Sequence, residues 1–379
     1  MRKKFFLLTT IPTSLNFFRG QISQLDNFYE VMLVSSPSPL LKEIVERENV
    51  DFYSVKMERD ISLWNDVISL LKLVLLFIKQ KPYIVHCNTP KASLLGLLAS
   101  FITRVPRRIY YIHGLRYEGT HGVKRKVLIN LERLSCWCAT DIIAVSSGVK
   151  KTVQKELTNK PITIIHNGSA NGMFIKEFLE ANYNETEVCA ELEIGNEDFV
   201  YGFVGRLVGD KGINELVAAF KKVNDRYPKT KLLLVGGYED RLDPLKEETL
   251  KEMRANPNIV ETGFQKDVKK YLSIMNILVS PSYREGFGLS LLEANLMGRP
   301  VIATKITGYS EIVKEDINGF LIEPKNVNAL VEKMEWAYLN SDKLAMMKQD
   351  CISEVVKNYN HDDVLREAID YYRGLKNRD

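Results

Sequence analysis

Several absences narrow the possibilities for this chain before any motif does. Its five cysteines stand at positions 87, 136, 138, 189 and 351, an odd number with no CxxC pair, so neither a disulfide framework nor a zinc site is suggested. Such usage suits a reducing cytoplasm. No GxGxxG occurs, which counts against a nicotinamide or flavin fingerprint, and the stretch 205–211 does not complete the GxxxxGK[ST] of a Walker loop. No run is long and apolar enough for a membrane span: DVISLLKLVLLFIKQ (66–80) is interrupted by Lys72 and falls short of the roughly 20 residues a bilayer requires, so it reads as a helix packed on a sheet. The opening MRKKFFLLTTIP has too short an apolar stretch and no small-residue cleavage site, and reads as a first β-strand rather than a signal peptide. Low-complexity tracts and sequence repeats are also missing.

What is present is ordinary in bulk and ordered in pattern. With 379 residues, 45% of them hydrophobic and 26% charged, the chain is long enough for two or three domains with cores that need no covalent staples. Short β-branched runs alternate with helical segments: KKFFLLTT, EVMLVSS, DFYSV, YIVHC, RRIYYIH, DIIAVS and ITIIHN. After a polar passage the alternation resumes with FVYGFVG, KLLLVGG, NIVETG, NILVSPS, PVIATK and GFLIEP. This predicts two α/β domains in tandem, each with a parallel sheet covered on both faces, and a boundary near 168–195. Helices close the chain from about 326 onward. Ligands gather beyond the carboxyl ends of strands in open sheets, so two such domains are expected to face each other across a cleft.

The net charge of +4 conceals a division. Residues 1–167 carry 24 Lys+Arg against 13 Asp+Glu, and residues 168–379 carry 28 against 35, giving +11 and −7. The basic excess, in RVPRR (104–108), Arg116, KRK (124–126) and Arg133, is either a solvated face or an attraction to an anionic membrane surface or a phosphorylated substrate. Nucleic acid is not expected as a partner, because no recognition signature accompanies the charge.

Two segments could carry chemistry. FVYGFVG (199–205) runs into RLVGDKGI, where Arg206 and Lys211 flank a glycine turn before an amphipathic helix; such a turn lets backbone amides and two cations meet an anion, a diphosphate above all. The plainer reading is a solvated loop whose Asp210 caps the helix. In REGFGLSLLEA (284–294), Glu285 and Glu293 would lie about 80° apart around one continuous helix and roughly 12 Å apart along it, too far to share a proton. If the helix instead starts near Gly288, Glu285 sits in the loop before it, Glu293 lies inside it, and the amides of Gly286, Phe287, Gly288 and Leu289 form a positive end between two acceptors. A carboxylate, an anion seat and a second carboxylate match the sugar, diphosphate and ribose of a nucleotide sugar.

Taken together, GRLVGDKGI (205–213), LLLVGG (232–237), REGFGLSLLEA (284–294), GRPVIAT (298–304) and GYSEIV (308–313) resemble the retaining glycosyltransferases of family 4, which have the GT-B fold of two Rossmann-like domains. Within that family the chain is most similar to bacterial enzymes that extend lipid-linked oligosaccharides or surface polysaccharides such as capsule and O-antigen. The resemblance implies an N-terminal acceptor domain over 1–170, with a C-terminal helix from about 356 to 379 packing back on it, and a nucleotide-sugar domain over 171–355. It also implies roles. Glu285 faces the donor sugar, Glu293 binds the ribose, Arg206 and Lys211 hold the diphosphate, His113 lies near the reacting sugar, and the backbone at Phe264 approaches the base. His86 and His166 read as structural. The first loop departs from the family pattern: TTIPTSLNFFRGQISQL has only Gly20 where many members have a Gly-Gly pair, leaving Arg19 as either a substitute cation toward the acceptor or a plain surface arginine.

The function implied is a metal-independent, retaining glycosyltransferase, a hexosyl- or N-acetylhexosaminyl-transferase using a UDP-sugar, without a cofactor and without the DxD motif that would place a metal on the diphosphate. Its acceptor would be a lipid-linked or glycan hydroxyl, and its place the cytoplasm, peripheral on the inner face of the membrane through the basic segment 121–138. The alternatives are a sugar-nucleotide epimerase of the same architecture and a non-enzymatic sugar-binding protein.

Overall fold

The computed structural model describes residues 2–58, 62–239 and 243–375 and divides into two compact units, Met1–Gly172 with His361–Asp379, and Met173–Asn360. The first unit is built on β1 (Lys4–Leu8), β2 (Glu30–Ser35), β3 (Asp51–Ser54), β4 (Ile84–Cys87), β5 (Arg107–Ile112), β6 (Asp141–Ala144) and β7 (Ile162–Thr163). They form one parallel sheet in the order β3-β2-β1-β4-β5-β6-β7. β1 sits centrally, with Phe5 to Leu8 at most 1% exposed, as expected of a strand covered on both faces. Just beyond it, Thr9 Oγ1 donates to Ser35 Oγ at the end of β2 at 3.0 Å, and Thr10 Oγ1 lies 2.8 Å from Thr89 Oγ1.

The helix His361–Leu375 belongs to this first unit. It buries His361, Val364, Ala368, Tyr372 and Leu375 at helical spacing, and the Tyr29 hydroxyl donates to the Tyr372 carbonyl at 2.7 Å. The segment expected to pack on the sheet is the helix Leu63–Gln80, and only a narrow seam of it does so. Phe77 meets Phe6 edge-on at 5.9 Å, and Ser69 and Leu73 are the other buried positions, while Leu63 and Trp64 are 80% and 79% exposed.

The second unit contains β8 (Phe199–Val204), β9 (Thr230–Val235), β10 (Ile259–Gly263), β11 (Ile277–Ser280), β12 (Val301–Thr304) and β13 (Gly319–Ile322). These pair in parallel in the order β10-β9-β8-β11-β12-β13. Leu232, Leu234, Ile277 and Val279 enter the core on one face, Leu233, Val235 and Leu278 on the other, the period-2 consequence of the pleat. The strand order reverses between β8 and β11. The helices that follow them, Ile213–Arg226 and Leu289–Leu296, therefore pack on opposite faces of the sheet and leave a crevice at the carboxyl edge.

Candidate active site

Both segments singled out for chemistry emerge at this reversal. The loop after β8 carries Arg206 to Gly212, and the loop after β11 carries Pro281 to Gly288. The two are locked together. Gly212 has φ +73°, and a Cβ there would lie 2.1 Å from the Pro281 carbonyl oxygen, so only glycine allows the backbones so close. The Tyr283 amide donates to the Asp210 carbonyl at 2.8 Å, and Arg284 Nη2 contacts Asp210 Oδ2 at 2.5 Å. Asp210 thus braces one loop against the other and does not cap the following helix, whose N-cap is Gly212.

At the centre of this junction Lys211 Nζ pairs with Glu285 Oε1, their side chains 17% and 21% exposed. The buried Tyr309 hydroxyl donates to the same carboxylate oxygen at 3.4 Å, to Ser282 Oγ at 3.2 Å, and lies 2.6 Å from Ser280 Oγ. Burial together with the nearby Glu285 charge raises the Tyr309 pKa well above its usual value, so the phenol stays protonated as a donor. Arg206 is likewise paired, with Glu239 Oε2. Each of the two proposed diphosphate cations therefore rests on a carboxylate.

The helix expected near Gly288 runs Leu289–Leu296 with Gly288 as its N-cap. Among the described residues, the amides of Gly286, Phe287, Gly288, Leu289 and Ser290 have no protein acceptor. Five adjacent free donors next to an ion-paired glutamate make a seat for an anion, with the helix dipole adding to it. Glu293 lies on the second turn, partly accessible, and no protein donor reaches its carboxylate among the described residues. Desolvation pushes its pKa up to about 7, with Lys269 pulling the other way. An acceptor left without a donor at the rim of a crevice is an arrangement that a ligand's hydroxyls would complete.

The third wall of the site is the segment Ile306–Val313. Gly308 packs so closely on the Glu285 loop that a Cβ would fall 2.7 Å from the Glu285 carbonyl oxygen, 2.9 Å from the Gly286 carbonyl carbon and 2.9 Å from the Phe287 amide nitrogen. Gly308→Ala is accordingly expected to push the anion seat out of place, costing about 1–3 kcal/mol of stability and lowering activity more than the melting point implies. A variant with wild-type melting and turnover would show that the loop is not held by this contact. Phe264, at the end of β10, is 79% exposed and adjoins Gly237 across the strand ends, 3.8 Å from the position of a Gly237 Cβ.

His113, at the carboxyl end of β5, belongs to the first unit and sits in a chain of side-chain hydrogen bonds. His113 Nε2 lies 3.1 Å from Asn88 Oδ1, Asn88 Nδ2 lies 3.1 Å from His86 Nδ1, and His86 Nε2 lies 2.9 Å from the Tyr372 hydroxyl. An amide oxygen only accepts, so His113 carries its proton on Nε2 and presents Nδ1 as a free acceptor. Burial lowers the His113 pKa to about 4 and the His86 pKa to about 3, so both rings are neutral at physiological pH. His86 is fully buried and serves to orient, in keeping with its structural reading. His166 Nδ1 and its amide meet the Glu367 carboxylate at 2.8 and 2.9 Å, which ties the C-terminal helix to the first unit. Arg19 ends the 3-10 helix Pro12–Phe18 that fills the place of a Gly-Gly loop, and its carbonyl accepts from Asn171 Nδ2 at 2.9 Å. Sequence reasoning assigned no role to Tyr309 or Asn88. The signal for Tyr309 was its place inside the GYSEIV motif; a lone asparagine after a strand carried none.

The chain matches known glycosyltransferases in sequence and in fold. Residues 22–169 match the pattern described as Glycosyltransferase Family 4, and residues 184–352 that of Glycosyl transferases group 1. The capsular polysaccharide biosynthesis glycosyltransferase CapM of Staphylococcus aureus is 39% identical over 336 residues, covering 88% of this chain and 87% of its own. The chain belongs to the family 4 glycosyltransferases. An Escherichia coli UDP-Gal:alpha-D-GlcNAc-diphosphoundecaprenol alpha-1,3-galactosyltransferase is 28% identical over 337 residues, covering 88% and 86% of the two chains. In structure, Anabaena HepE in complex with UDP and glucose superposes with a TM-score of 0.81 at 18% identity, covering 98% and 100% of the two chains. Sucrose-phosphate synthase from Thermosynechococcus elongatus gives 0.81 at 19% identity over the whole of both. The fold of this glycosyltransferase is GT-B.

Proposed function

We propose that this glycosyltransferase moves a sugar, with retention, from a UDP-sugar to a hydroxyl of a lipid-linked or glycan acceptor in bacterial surface polysaccharide synthesis. The observation that carries the reading is the single strand-loop-helix from β11 to Leu296. It places a cation-paired carboxylate, five unsatisfied amides and a second, unpaired carboxylate in sequence. The diphosphate would displace Glu285 from Lys211 and Glu239 from Arg206 and accept from the free amides. Glu285 would then hold the sugar, Glu293 the ribose, and the backbone at Phe264 would run beside the base. The bond from the anomeric carbon to the phosphate oxygen breaks with its electron pair on UDP. The acceptor hydroxyl attacks on the same face, and its proton passes to the leaving phosphate. The neutral His113 has an acceptor nitrogen to offer a sugar hydroxyl and no charge to repel the cationic ring.

This chemistry places stabilisation where charge develops and calls for no metal. The similarity to a capsule enzyme and to an enzyme whose name specifies a UDP-sugar and a diphosphoundecaprenol acceptor supports the substrate classes. Thermal-shift measurements with UDP, GDP, ADP and TDP test the donor: UDP is expected to raise the melting temperature most, with or without EDTA. Stabilisation only by another nucleotide, or only with divalent metal present, would overturn that part of the reading.

A further inference from the structure

The 3-10 helix Pro12–Phe18 sets an aromatic ring where a Gly-Gly loop would have none. Its buried positions, Pro12, Leu15 and Phe18, recur every third residue, the period of such a helix, which leaves Phe17 off the buried stripe and 37% exposed. The Phe17 ring lies nearly parallel to the His113 imidazole, 5.5 Å between centres and 23° between planes. Tyr111 is tilted by 31° at 4.5 Å, and Phe18 meets the imidazole edge-on at 6.0 Å. Phe18 and Tyr111 are each 1% exposed, so Phe17 is the ring between His113 and water.

The segment that carries Phe17 is clamped at both ends. Before it, the Thr10 amide donates to Thr89 Oγ1 at 2.9 Å, and Thr89 keeps a φ of +50° that a β-branched residue seldom adopts. The same turn carries Asn88, which holds His113 Nε2. After it, the Gly20 and Ser23 amides donate to the buried Glu48 carboxylate at 3.3 Å, and Arg47 Nη1 donates to Asn16 Oδ1 at 3.2 Å. Loop and histidine are parts of one assembly within the first unit.

We propose that Phe17 is a positioning residue for sugar transfer: its ring covers the His113 imidazole, excludes water from it, and so holds it neutral and in one plane. The inference rests on the place given above to His113 beside the reacting sugar. An aromatic ring by itself attracts a charged imidazole, whereas loss of water opposes the charge. Water decides, since burial brings the His113 pKa down to about 4. Among the described residues, the titratable groups facing His113 are His86 from β4, joined to it through Asn88, and Tyr111 from β5. Burial keeps the first neutral and the second protonated, and Asn88, Phe17 and Phe18 bear no charge.

The test is an NMR titration of the five histidine rings of the full chain, without donor or acceptor, with the His113 signal assigned by its loss in His113→Gln. The wild-type midpoint is expected at about 4, and that of Phe17→Ala about one unit or more higher. Phe17→Leu, which keeps the cover without an aromatic ring, should titrate close to wild type, and both variants should keep its melting temperature. Turnover gives the second readout. At saturating donor and acceptor, the ratio of Phe17→Ala kcat to wild-type kcat should be constant from about pH 7 to 8 and fall about twofold or more by about pH 5, because only the variant's His113 gains charge there. The ratio cancels any effect of Glu293, which both proteins share. A merely structural role would lower the ratio equally at every pH. A midpoint unmoved or lowered in Phe17→Ala would overturn the proposal, as would a loss confined to the acceptor KM, which would make Phe17 part of the acceptor site. A midpoint that rises while the kcat ratio stays flat would overturn the role in transfer and remove His113 from the reacting sugar, leaving the donor contacts of Glu285 and Glu293 standing.

Discussion

Glu285→Gln should lower kcat by about 10²- to 10³-fold, the range seen when one preorganised electrostatic partner of a transition state is removed, while leaving UDP affinity equal or tighter. The two halves of this result come from one contact. Lys211 is held by Glu285, whose carboxylate meets the Tyr309 hydroxyl and whose backbone packs against Gly308. A diphosphate must draw Lys211 away before it can use that charge. A neutral amide in place of the carboxylate holds the lysine less firmly, so UDP, which carries no sugar, loses nothing and gains a readier cation. The sugar loses a carboxylate that answers the positive charge growing on its ring. Steady-state kinetics and titration calorimetry read the two effects independently. A variant that binds UDP more weakly than wild type would place Glu285 on the nucleotide instead. A variant with unchanged kcat would remove it from the reaction.

Much of this site was legible before any coordinates, because its parts are short-range. A glycine turn between β8 and a helix, or an apolar strand running into REGFGLSLLEA, is a local pattern whose period changes from 2 to 3.6 within a few residues. The helix expected to start near Gly288 runs Leu289–Leu296, with Gly288 as its N-cap. What stayed hidden was long-range. Asp210 looked like a helix cap and is instead the partner of Arg284, 74 positions away. Asn88 orients His113 only because β4 and β5 are neighbours in the sheet. Helix 63–80 looked like sheet cover since its composition is that of a core; periodicity gives the apolar positions but not which of them a neighbour will take up. Ser69, Leu73 and Phe77 satisfy the sheet, and the surplus faces outward.

Glu293→Gln is expected to do the opposite of Glu285→Gln, with a dependence on pH as its signature. In the folded chain the Glu293 pKa is raised to about 7 from 4.5, mainly by desolvation. Folding therefore favours the protonated acid, and its contribution to stability is complete below the unfolded pKa and lost as pH rises through the folded one. Wild type should lose stability from this group between about pH 4.5 and 7, and Glu293→Gln, which cannot ionise, should not. The variant's advantage should amount to about 1–2 kcal/mol at pH 8, less than the whole shift would give because the side chain keeps an accessible edge. The melting curves of the two proteins should converge near pH 4.5. UDP binding should move the other way. Ribose hydroxyls donate to an ionised carboxylate, so binding expels a proton below pH 7, and wild-type affinity should climb by up to about tenfold per pH unit before levelling off near the free-site pKa. Glu293→Gln should bind UDP about tenfold or more weakly at pH 8, with this pH dependence removed. Calorimetry in buffers of different ionisation heat counts the proton directly. Proton release undiminished in Glu293→Gln, or wild-type affinity flat from pH 5 to 8, would move the ribose contact to another residue and leave the desolvated carboxylate without a ligand.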